Sequence, residues 1–534
     1  MASHPDTSAF ELGRLARQRF DAGQFDAACD LLAKLAGTVP DNPYVRMDLA
    51  SVLQRCGRLR ASTEQLLQAA RVPALEPAFA VHLARGLFYG SEVVAARACL
   101  DAAEQGAHLP AGLLAEIAHL RWTMGEVPAA RRMSDRAVAA GAQAPHELHL
   151  HAMLLQFSGD LDRAEAVLRS CLQRWPTFGD GVLALTNLRR QTPQSHHLDF
   201  LRQQLQRLPH QGQAASLANR AAFEAALFKT LDDLDQPEQA WPALVRCNAL
   251  MHRIVPYDAP GEVAIVDALI EASMAMATRQ PAPASADPGP QPIFIVGMPR
   301  SGTTLLDRML SSHSQVTSAG EITDFMRQLR CVTDVPPQGM QGTLTAIQRS
   351  PAIDPAELGA RYLAQTRWRA EGRRYFVDKL PANIRMVAHI HQALPHARIV
   401  HMVRDPMDAC FSNLAMMFGN SSPYSYDLGT MAHYYRQYAR LARHWQSAWP
   451  DAFIEVAYAD LVQRPEATLR RVLDYCGLQA EDACFHPERN AAPVATPSGI
   501  QVRERIHTRG LARWERYATQ LETLRQDLVE AADA

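Results

Sequence analysis

Apolar and polar positions divide the chain into two parts with different periodicities. The first 180 residues are rich in Ala, Leu and Arg and carry apolar residues at helical spacing, which predicts amphipathic helices. From residue 292 onward, short β-branched apolar runs alternate with helical stretches, which is typical of an α/β domain with a parallel sheet flanked by helices. We therefore predict an all-α solenoid at 1–180, a helical extension at 181–278, a Pro- and Ala-rich linker at 279–291, and an α/β domain at 292–520.

A glycine recurs in the helical part at intervals of 34, 33, 35 and 34 residues, and a small residue follows each glycine five residues later. The glycines are Gly23, Gly57, Gly90, Gly125 and Gly159, and the small residues are Ala28, Ser62, Ala95, Ala130 and Ala164. This period resembles that of tetratricopeptide repeats. The small residues would sit where two antiparallel helices cross closely, and each glycine would end a helix in a tight turn. A sixth, degenerate repeat is predicted at 217–254, with Asp235 in the glycine position and Ala240 in the small one.

The repeats leave two uses open. A solenoid serves either as a scaffold or as a concave surface that holds a peptide. Its lateral faces can also pair, so a homodimer is compatible with the pattern.

Composition and charge narrow the functional class. The formal net charge of −2 argues against a globally basic nucleic-acid binder, so no nucleic-acid partner is expected. No run of about 18 apolar residues occurs, and the first residues do not form a secretory signal, so we expect a cytoplasmic protein without a membrane span. Nine cysteines without a CxxC pair, and histidines without ligand spacing, predict neither a disulfide framework nor a metal site.

The first chemical motif directly follows the predicted linker. The apolar run 293–297 leads into the loop 297–304 and then into a predicted helix, an arrangement whose backbone amides can cradle a phosphate. The loop nearly matches the nucleotide P-loop pattern, but Thr303 stands where that pattern has lysine. Because that lysine normally reaches the β- and γ-phosphates, a kinase-like ATP or GTP site is disfavoured. A nucleotide with one 5′-phosphate fits better.

A second motif lies at 398–418, which is predicted as a buried strand, a loop at 404–406, and a helix. Pro406 suits the first turn of that helix, where its missing N–H costs nothing. Arg404 leaves the strand end and Ser412 follows on the second helical turn, so the two can hold another phosphate group. A single-phosphate cradle with a second phosphate site is what 3′-phosphoadenosine 5′-phosphosulfate requires.

The segments PRSGTT (299–304) and RDPMDACFS (404–412) resemble the two phosphate-binding motifs of sulfotransferases that use this donor. The loop, with arginine at position 300, is most similar to that of tyrosylprotein sulfotransferases. The combination of repeats and a catalytic domain resembles bacterial tetratricopeptide-repeat sulfotransferases. The resemblance implies 3′-phosphoadenosine 5′-phosphosulfate as sulfonate donor and 3′-phosphoadenosine 5′-phosphate as product, with no metal.

The same resemblance implies which residues contact the donor. Two groups match the family motifs directly: the 5′-phosphosulfate loop and the pair at the 3′-phosphate. A tyrosine near the nucleotide also matches, and the segment 501–517 resembles a loop that closes over the adenosine and 3′-phosphate. The matching residues are Arg300, Ser301, Gly302, Thr303 and Thr304 for the loop, Arg404 and Ser412 for the 3′-phosphate, Tyr458 near the nucleotide, and Arg503, Arg505 and Arg509 as alternatives in the closing segment.

The catalytic roles rest on the resemblance in the same way. Glu321 matches the glutamate that takes the proton of the acceptor hydroxyl. Lys379 matches the lysine beside the bridging oxygen, where a compact positive charge stabilises the leaving phosphate together with Arg300. Lys379 is one of only three lysines among 54 basic residues. Asp324, one helical turn after Glu321, is expected to be a solvated first-turn acid.

The acceptor is not fixed by these motifs. The tyrosylprotein-like loop and the repeats favour a hydroxyl of a peptide or protein, with tyrosine the leading candidate. A carbohydrate, lipid or small-molecule hydroxyl stays open as an alternative, because neither the fold nor the donor site determines the acceptor. A repeat scaffold with an inactive nucleotide-binding domain is a further alternative.

Overall fold

The computed structural model describes residues 5–279, 281–282, 289–496 and 499–529, with side chains described from residue 8. Most of the predicted linker at 279–291 therefore lies outside the described residues. The described part shows a helical N-terminal half and a C-terminal half built on a parallel sheet. The predicted fold class is confirmed.

The first ten helices form five successive antiparallel pairs, which are the five predicted repeats. Amphipathic faces pack the two helices of each pair together and each pair against the next. The helices are α1 (Pro5–Asp21), α2 (Phe25–Thr38), α3 (Pro43–Arg55), α4 (Leu59–Ala69), α5 (Pro77–Tyr89), α6 (Val93–Glu104), α7 (Ala111–Thr123), α8 (Val127–Ala139), α9 (Pro145–Phe157) and α10 (Leu161–Arg174).

The third repeat departs from the predicted positions by one residue. In the other four turns the predicted glycine has a positive φ, whereas Gly90 has φ −77° and Ser91 takes the left-handed conformation at 74°. The residue buried at the helix crossing shifts with the turn, so that Ala96 is buried and Ala95 only partly so. The five-residue spacing between turn and small residue is thus kept, and only its position along the chain changes.

Five further helices extend the helical half. Of these, α13 and α14 form an antiparallel pair at the position of the degenerate repeat. Asp235 lies in the turn between them with φ 59°, and Ala240 is fully buried. The five helices are α11 (Gly179–Asn187), α12 (Leu198–Arg207), α13 (Ala214–Asp233), α14 (Pro237–Ile254) and α15 (Ala259–Ala277).

The C-terminal half contains a five-stranded parallel sheet in the order β2-β3-β1-β4-β5. The register pairs Ile293 with Val377 on one side of β1 and Ile295 with Val400 on the other. The strands are β1 (Gln291–Gly297), β2 (Val316–Gly320), β3 (Tyr375–Asp378), β4 (Arg398–Val403) and β5 (Ile454–Ala457). Because the chain builds β2 and β3 on one side of β1 and β4 and β5 on the other, the topological switch point lies at the carboxyl end of β1.

Helices cover both faces of this sheet, which explains why its strands are continuous apolar runs. Short 3-10 segments complete the connections, among them Arg367–Ala370 and Arg513–Tyr517. The helices are α16 (Thr303–Leu310), α17 (Asp324–Val332), α18 (Gly339–Arg349), α19 (Pro355–Thr366), α20 (Val387–Ala393), α21 (Pro406–Leu414), α22 (Leu428–Ala448), α23 (Tyr458–Gln463), α24 (Pro465–Cys476) and α25 (Glu522–Val529).

The hydrophobic core is continuous between the two halves. Helix α15 of the helical extension packs Ile265 and Leu269 in one cluster with Phe294 of β1 and Trp445 of α22. A second cluster joins α11–α14 to α21, α22 and α25. The sequence boundary between 278 and 292 therefore does not separate two independent cores. No helix within the described ranges combines the length and apolar character that a bilayer-spanning segment needs.

Candidate active site

The loop after β1 lies at the switch point, and its shape depends on two glycines. Gly297 has φ 149°, and a Cβ there would lie 2.5 Å from the carbonyl oxygen of Met402. Gly302 has φ 99°, and a Cβ there would lie 2.4 Å from Cδ2 of Tyr458. Gly302 caps α16, so the amides of Thr303 and Thr304 in its first turn lack acceptors within the helix. The loop can therefore present several N–H groups to one anion.

Ser301 adds a side chain to this cradle. Its hydroxyl is buried and has no hydrogen-bond partner among the described residues. A buried hydroxyl without a partner costs free energy, and an oxyanion in the loop would supply one. The cradle that glycine keeps open and the orphaned Ser301 hydroxyl both fit a bound phosphate or sulfonate group.

Three arginines converge beside the loop. The guanidinium of Arg404 donates to the Arg300 carbonyl oxygen at 2.7 Å and to the Gly510 carbonyl, and it lies 4.8 Å from the ring centroid of Tyr458. Burial, together with the positive charges of Arg404 and Arg513, lowers the pKa of Arg300 to about 10. A phosphate would relieve this repulsion, because a negative charge favours the protonated guanidinium. Sequence reasoning missed Arg513, although it lies within the 501–517 segment.

Ser412 lies where the sequence predicts, at the end of the second turn of α21, and is buried. Asp405 begins this helix by accepting a hydrogen bond from the Asp408 amide at 2.9 Å. The neighbouring Arg404 therefore sits at the junction of β4 and α21, and the structure records no direct hydrogen bond between Arg404 and Ser412. Both residues border the same end of the sheet as the loop after β1.

The closing segment meets the site through its backbone rather than through the predicted arginines. The Gly510 carbonyl accepts from Arg404, and a Cβ at Gly510 would lie 2.6 Å from the Tyr458 hydroxyl. Arg503 instead donates to the carbonyl oxygen of Phe157, at the end of α9, at 2.8 Å. The exposed Arg509 pairs with Glu504, and Arg505 is also exposed.

Glu321 and Lys379 form an ion pair at the carboxyl ends of β2 and β3. The Lys379 side chain is 0% exposed, whereas that of Glu321 is 37% exposed. The Lys379 amide also donates to the Gly320 carbonyl oxygen at 3.0 Å, which fixes the two strand ends together. The pair thus combines a carboxylate that solvent or an acceptor can reach with an ammonium that is fully enclosed.

A second carboxyl group, Asp307, was missed by sequence reasoning. It lies on α16, is buried, and accepts from the Ser318 hydroxyl at 2.9 Å. Burial raises the pKa of Asp307 to about 6, and the positive charge of Lys379 opposes this rise. The one available signal in the sequence was the charged residue Asp307 within the largely apolar run LLDRML (305–310). That run forms a helix with one face toward the sheet, so a carboxyl group there is expected to have a specific partner.

The expectation for Asp324 is wrong. Its side chain is fully buried rather than solvated, and it accepts from Arg327 at 2.8 Å with Arg369 at 3.9 Å. Helix α17 packs against α19 in the core of the C-terminal half, so the carboxylate receives arginine partners in place of water.

The described residues contain no group of three or more His, Cys, Asp or Glu side chains arranged to hold a metal ion.

Residues 292–482 match a family model described as the sulfotransferase family. An uncharacterized protein of Aquifex aeolicus (strain VF5) is 28% identical over 309 residues, which cover 56% of this chain and 40% of that protein. A putative protein-tyrosine sulfotransferase of Caenorhabditis briggsae is 24% identical over 42% of this chain and 80% of its own length. Protein-tyrosine sulfotransferase 2 of Gallus gallus is 23% identical over 42% of this chain and 62% of its own length.

The architecture that the resemblance implies is therefore confirmed: helical repeats precede a region that matches the sulfotransferase family model over 292–482. The matched portion spans only two fifths of the length of the Aquifex relative.

Proposed function

We propose that this chain, as a repeat region joined to a sulfotransferase-family region, transfers a sulfonate group from 3′-phosphoadenosine 5′-phosphosulfate to an acceptor hydroxyl. One observation carries the proposal. An accessible carboxylate, Glu321, pairs with an enclosed ammonium, Lys379, at the sheet edge that also holds an anion cradle. The cradle has Thr303 where a nucleotide triphosphatase has lysine, which favours a donor with a single 5′-phosphate.

The donor would be held at two places. The amides of the first turn of α16, the Ser301 hydroxyl and Arg300 are suited to the 5′-phosphosulfate group. Arg404 and Ser412 are suited to the 3′-phosphate, with Tyr458 beside the nucleotide. Arg513 is a further candidate because its charge already acts on Arg300. Arg503 and Arg509 remain proposals for the closing segment, and each would have to leave the partner it contacts in this structure.

Glu321 would accept the proton of the acceptor hydroxyl. As that proton leaves, the hydroxyl oxygen would bond to the sulfur, and the bond between the sulfur and the phosphate oxygen would break. Lys379 and Arg300 would offset the negative charge that remains on the phosphate oxygen. Since Lys379 binds Glu321 directly, movement of its ammonium toward a phosphate would free the Glu321 carboxylate for the acceptor. Donor binding and activation of the base would then be coupled.

For the acceptor we propose a hydroxyl on a peptide or protein, with tyrosine first. The support is the similarity of the sulfotransferase region to proteins named protein-tyrosine sulfotransferases. A carbohydrate, lipid or small-molecule hydroxyl would use the same donor site, since only the acceptor pocket differs.

The test is incubation of the purified chain with sulfur-labelled donor and a lysate of its source organism, followed by separation of protein from small molecules. Glu321→Ala serves as the control in the same lysate. Glu321-dependent label on protein supports the full proposal, and recovery of labelled tyrosine sulfate after alkaline hydrolysis, which leaves this acid-labile ester intact, identifies the acceptor. Label in the glycan, lipid or low-mass fraction keeps the transfer and refutes the protein acceptor. Failure of the purified chain to bind the donor refutes the transferase itself.

A further inference from the structure

The turns of the repeats run along the sulfotransferase region. The turns that recur every 34 residues make these contacts in successive repeats. The amide of Arg60 donates to Asp334 at 2.7 Å, the Ser91 hydroxyl to the Arg327 carbonyl at 2.9 Å, and the Val494 amide to the Phe157 carbonyl at 3.0 Å. The repeats therefore pack on the sulfotransferase region through the edge that their turns form. This edge is already occupied by contacts within the chain.

The turn of the fourth repeat lies directly against the segment that carries Glu321. A Cβ built on Gly125 would lie 3.4 Å from the carbonyl oxygen of Ala319 and 3.6 Å from Cγ2 of Ile322. It would also lie 3.1 Å from a guanidinium nitrogen of Arg369. The turn thus leaves room for a methyl group at ordinary contact distance from the Glu321 segment, and such a group would press on the Arg369 guanidinium.

The turn of the third repeat holds α17, which begins three residues after Glu321. The Ser91 hydroxyl donates to the Arg327 carbonyl oxygen, and the Gln328 side-chain amide donates to the Ser91 carbonyl oxygen at 2.7 Å. The Arg327 guanidinium lies 3.8 Å from the centroid of the Phe88 ring of α5. These three contacts hold one end of the Glu321 segment.

The other end is held through the 3-10 segment Arg367–Ala370. The Thr317 hydroxyl of β2 donates to the Arg369 carbonyl oxygen at 2.7 Å. The neighbouring Trp368 ring lies under the guanidinium of Arg97 from α6, at 3.7 Å from the ring centroid. Arg97 in turn donates to Glu126, the residue after Gly125, at 2.7 Å.

We propose that the third and fourth repeats position the catalytic base: they brace residues 319–324 from both ends and thereby set the place of the Glu321 carboxylate. This inference rests on the proposed function. The Glu321 side chain is itself only partly covered, and among the described residues Lys379 is the one side chain bound to it. Its position therefore depends on the backbone on either side, which the repeats support. The repeats are thus part of the framework that positions the active site, in addition to presenting a surface of their own.

Gly125→Ala tests this, with Gly57→Ala as the matched control. The two glycines have nearly the same left-handed φ, 81° and 77°, so alanine costs a similar backbone strain at each. At Gly57 the added Cβ meets no atom within 4 Å, whereas at Gly125 it meets Arg369, Ala319 and Ile322. The difference between the variants therefore isolates the contact of this turn with Arg369, whose carbonyl oxygen accepts from Thr317 of β2.

We expect Gly125→Ala to lower kcat by about 3- to 10-fold, with donor affinity within about twofold of wild type, because the methyl group shifts Arg369 and a small displacement of a base slows proton transfer. Gly57→Ala should retain the wild-type kcat and lose comparable thermal stability. Equal kcat in the two variants would overturn the proposal. A parallel loss of kcat and donor affinity in Gly125→Ala would overturn it as well, since that indicates general disruption.

Ser91→Ala keeps the proposal testable if Gly125→Ala fails to fold. It removes one hydroxyl contact with the Arg327 carbonyl, and we expect a smaller fall in kcat at unchanged donor affinity. An unchanged kcat in this variant would refute the bracing. Wild-type protein and Glu321→Ala are measured alongside. If wild type transfers no sulfonate or Glu321→Ala remains active, the proposed function fails; if both behave as proposed, a failure belongs to the bracing alone.

Discussion

Lys379 provides the most discriminating perturbation of the site, because the chain otherwise uses arginine almost throughout. Only Lys34, Lys229 and Lys379 are lysines among 54 basic residues. The Lys379 side chain is fully enclosed and its ammonium contacts Glu321. We predict that Lys379→Met loses most of the transfer rate and that Lys379→Arg does not restore it.

The expected loss of kcat is large because the Lys379 ammonium is fully enclosed. Removing one charge that stabilises the leaving oxygen costs roughly 10²–10³ in kcat, or about 2.7–4 kcal/mol. Methionine has a similar volume, and the partly exposed Glu321 can be solvated when its partner is lost, so Lys379→Met should fold. Arginine keeps the charge, but its larger planar group must enter an enclosed site at a cost of about 1–3 kcal/mol.

The assay measures kcat with labelled donor and, separately, the affinity for 3′-phosphoadenosine 5′-phosphate by calorimetry. Lys229→Arg is the matched control, because Lys229 on α13 donates to the Arg189 carbonyl oxygen at 2.9 Å and to Asp233, neither of which belongs to the site. It should keep wild-type activity. A Lys379→Met or Lys379→Arg variant as active as Lys229→Arg would refute the assigned role of the ammonium.

Three further predictions concern the loop, the second phosphate site and a buried acid. Arg404→Ala should weaken binding of 3′-phosphoadenosine 5′-phosphate by about 1–3 kcal/mol in calorimetry, as expected for a charge-assisted hydrogen bond, and unchanged affinity would contradict its role. Gly302→Ala should impair donor binding beyond its backbone strain because its Cβ would meet Tyr458; Gly339→Ala, with φ 59° and no atom within 4 Å, should leave donor affinity unchanged. Because the pKa of Asp307 is raised from 3.8 to about 6, the folded chain binds this proton more tightly than the unfolded chain, and stability falls as pH rises between these values. Asp307→Asn should remove that loss, giving a gain in unfolding free energy of up to about 3 kcal/mol above pH 6 and little near pH 4, measured by urea unfolding; a pH-independent difference would contradict it.

Local patterns in the sequence predicted what depends on neighbours along the chain. The repeat period follows from turns that need a left-handed residue every 34 positions, and the phosphate loop follows from glycines on both sides of Arg300. The third repeat shows the limit, because Ser91 adopts the left-handed conformation beside an available Gly90. Ser91 forms hydrogen bonds with Arg327 and Gln328 of α17, more than 230 residues away, and no local pattern shows them.

The missed features all depend on contacts between distant parts of the chain. Asp324 has the appearance of a solvated first-turn acid, and only packing of α17 against elements distant in sequence, α19 among them, buries it with Arg327. Arg503 lies in the segment that resembles a nucleotide-closing loop, yet its guanidinium binds a carbonyl at the end of α9. Asp307 gains its significance from Lys379, which is 72 residues further along the chain.

The central claim is that Glu321 acts as the base in sulfonate transfer, and a single-turnover comparison of wild type with Glu321→Gln tests it most directly. Glutamine keeps the size of the side chain and an oxygen for Lys379 but cannot take a proton at neutral pH. We predict that both proteins bind the labelled donor with similar affinity and that only the wild type passes label to the acceptor. Transfer by Glu321→Gln at the wild-type rate, or loss of its donor binding, would contradict the claim.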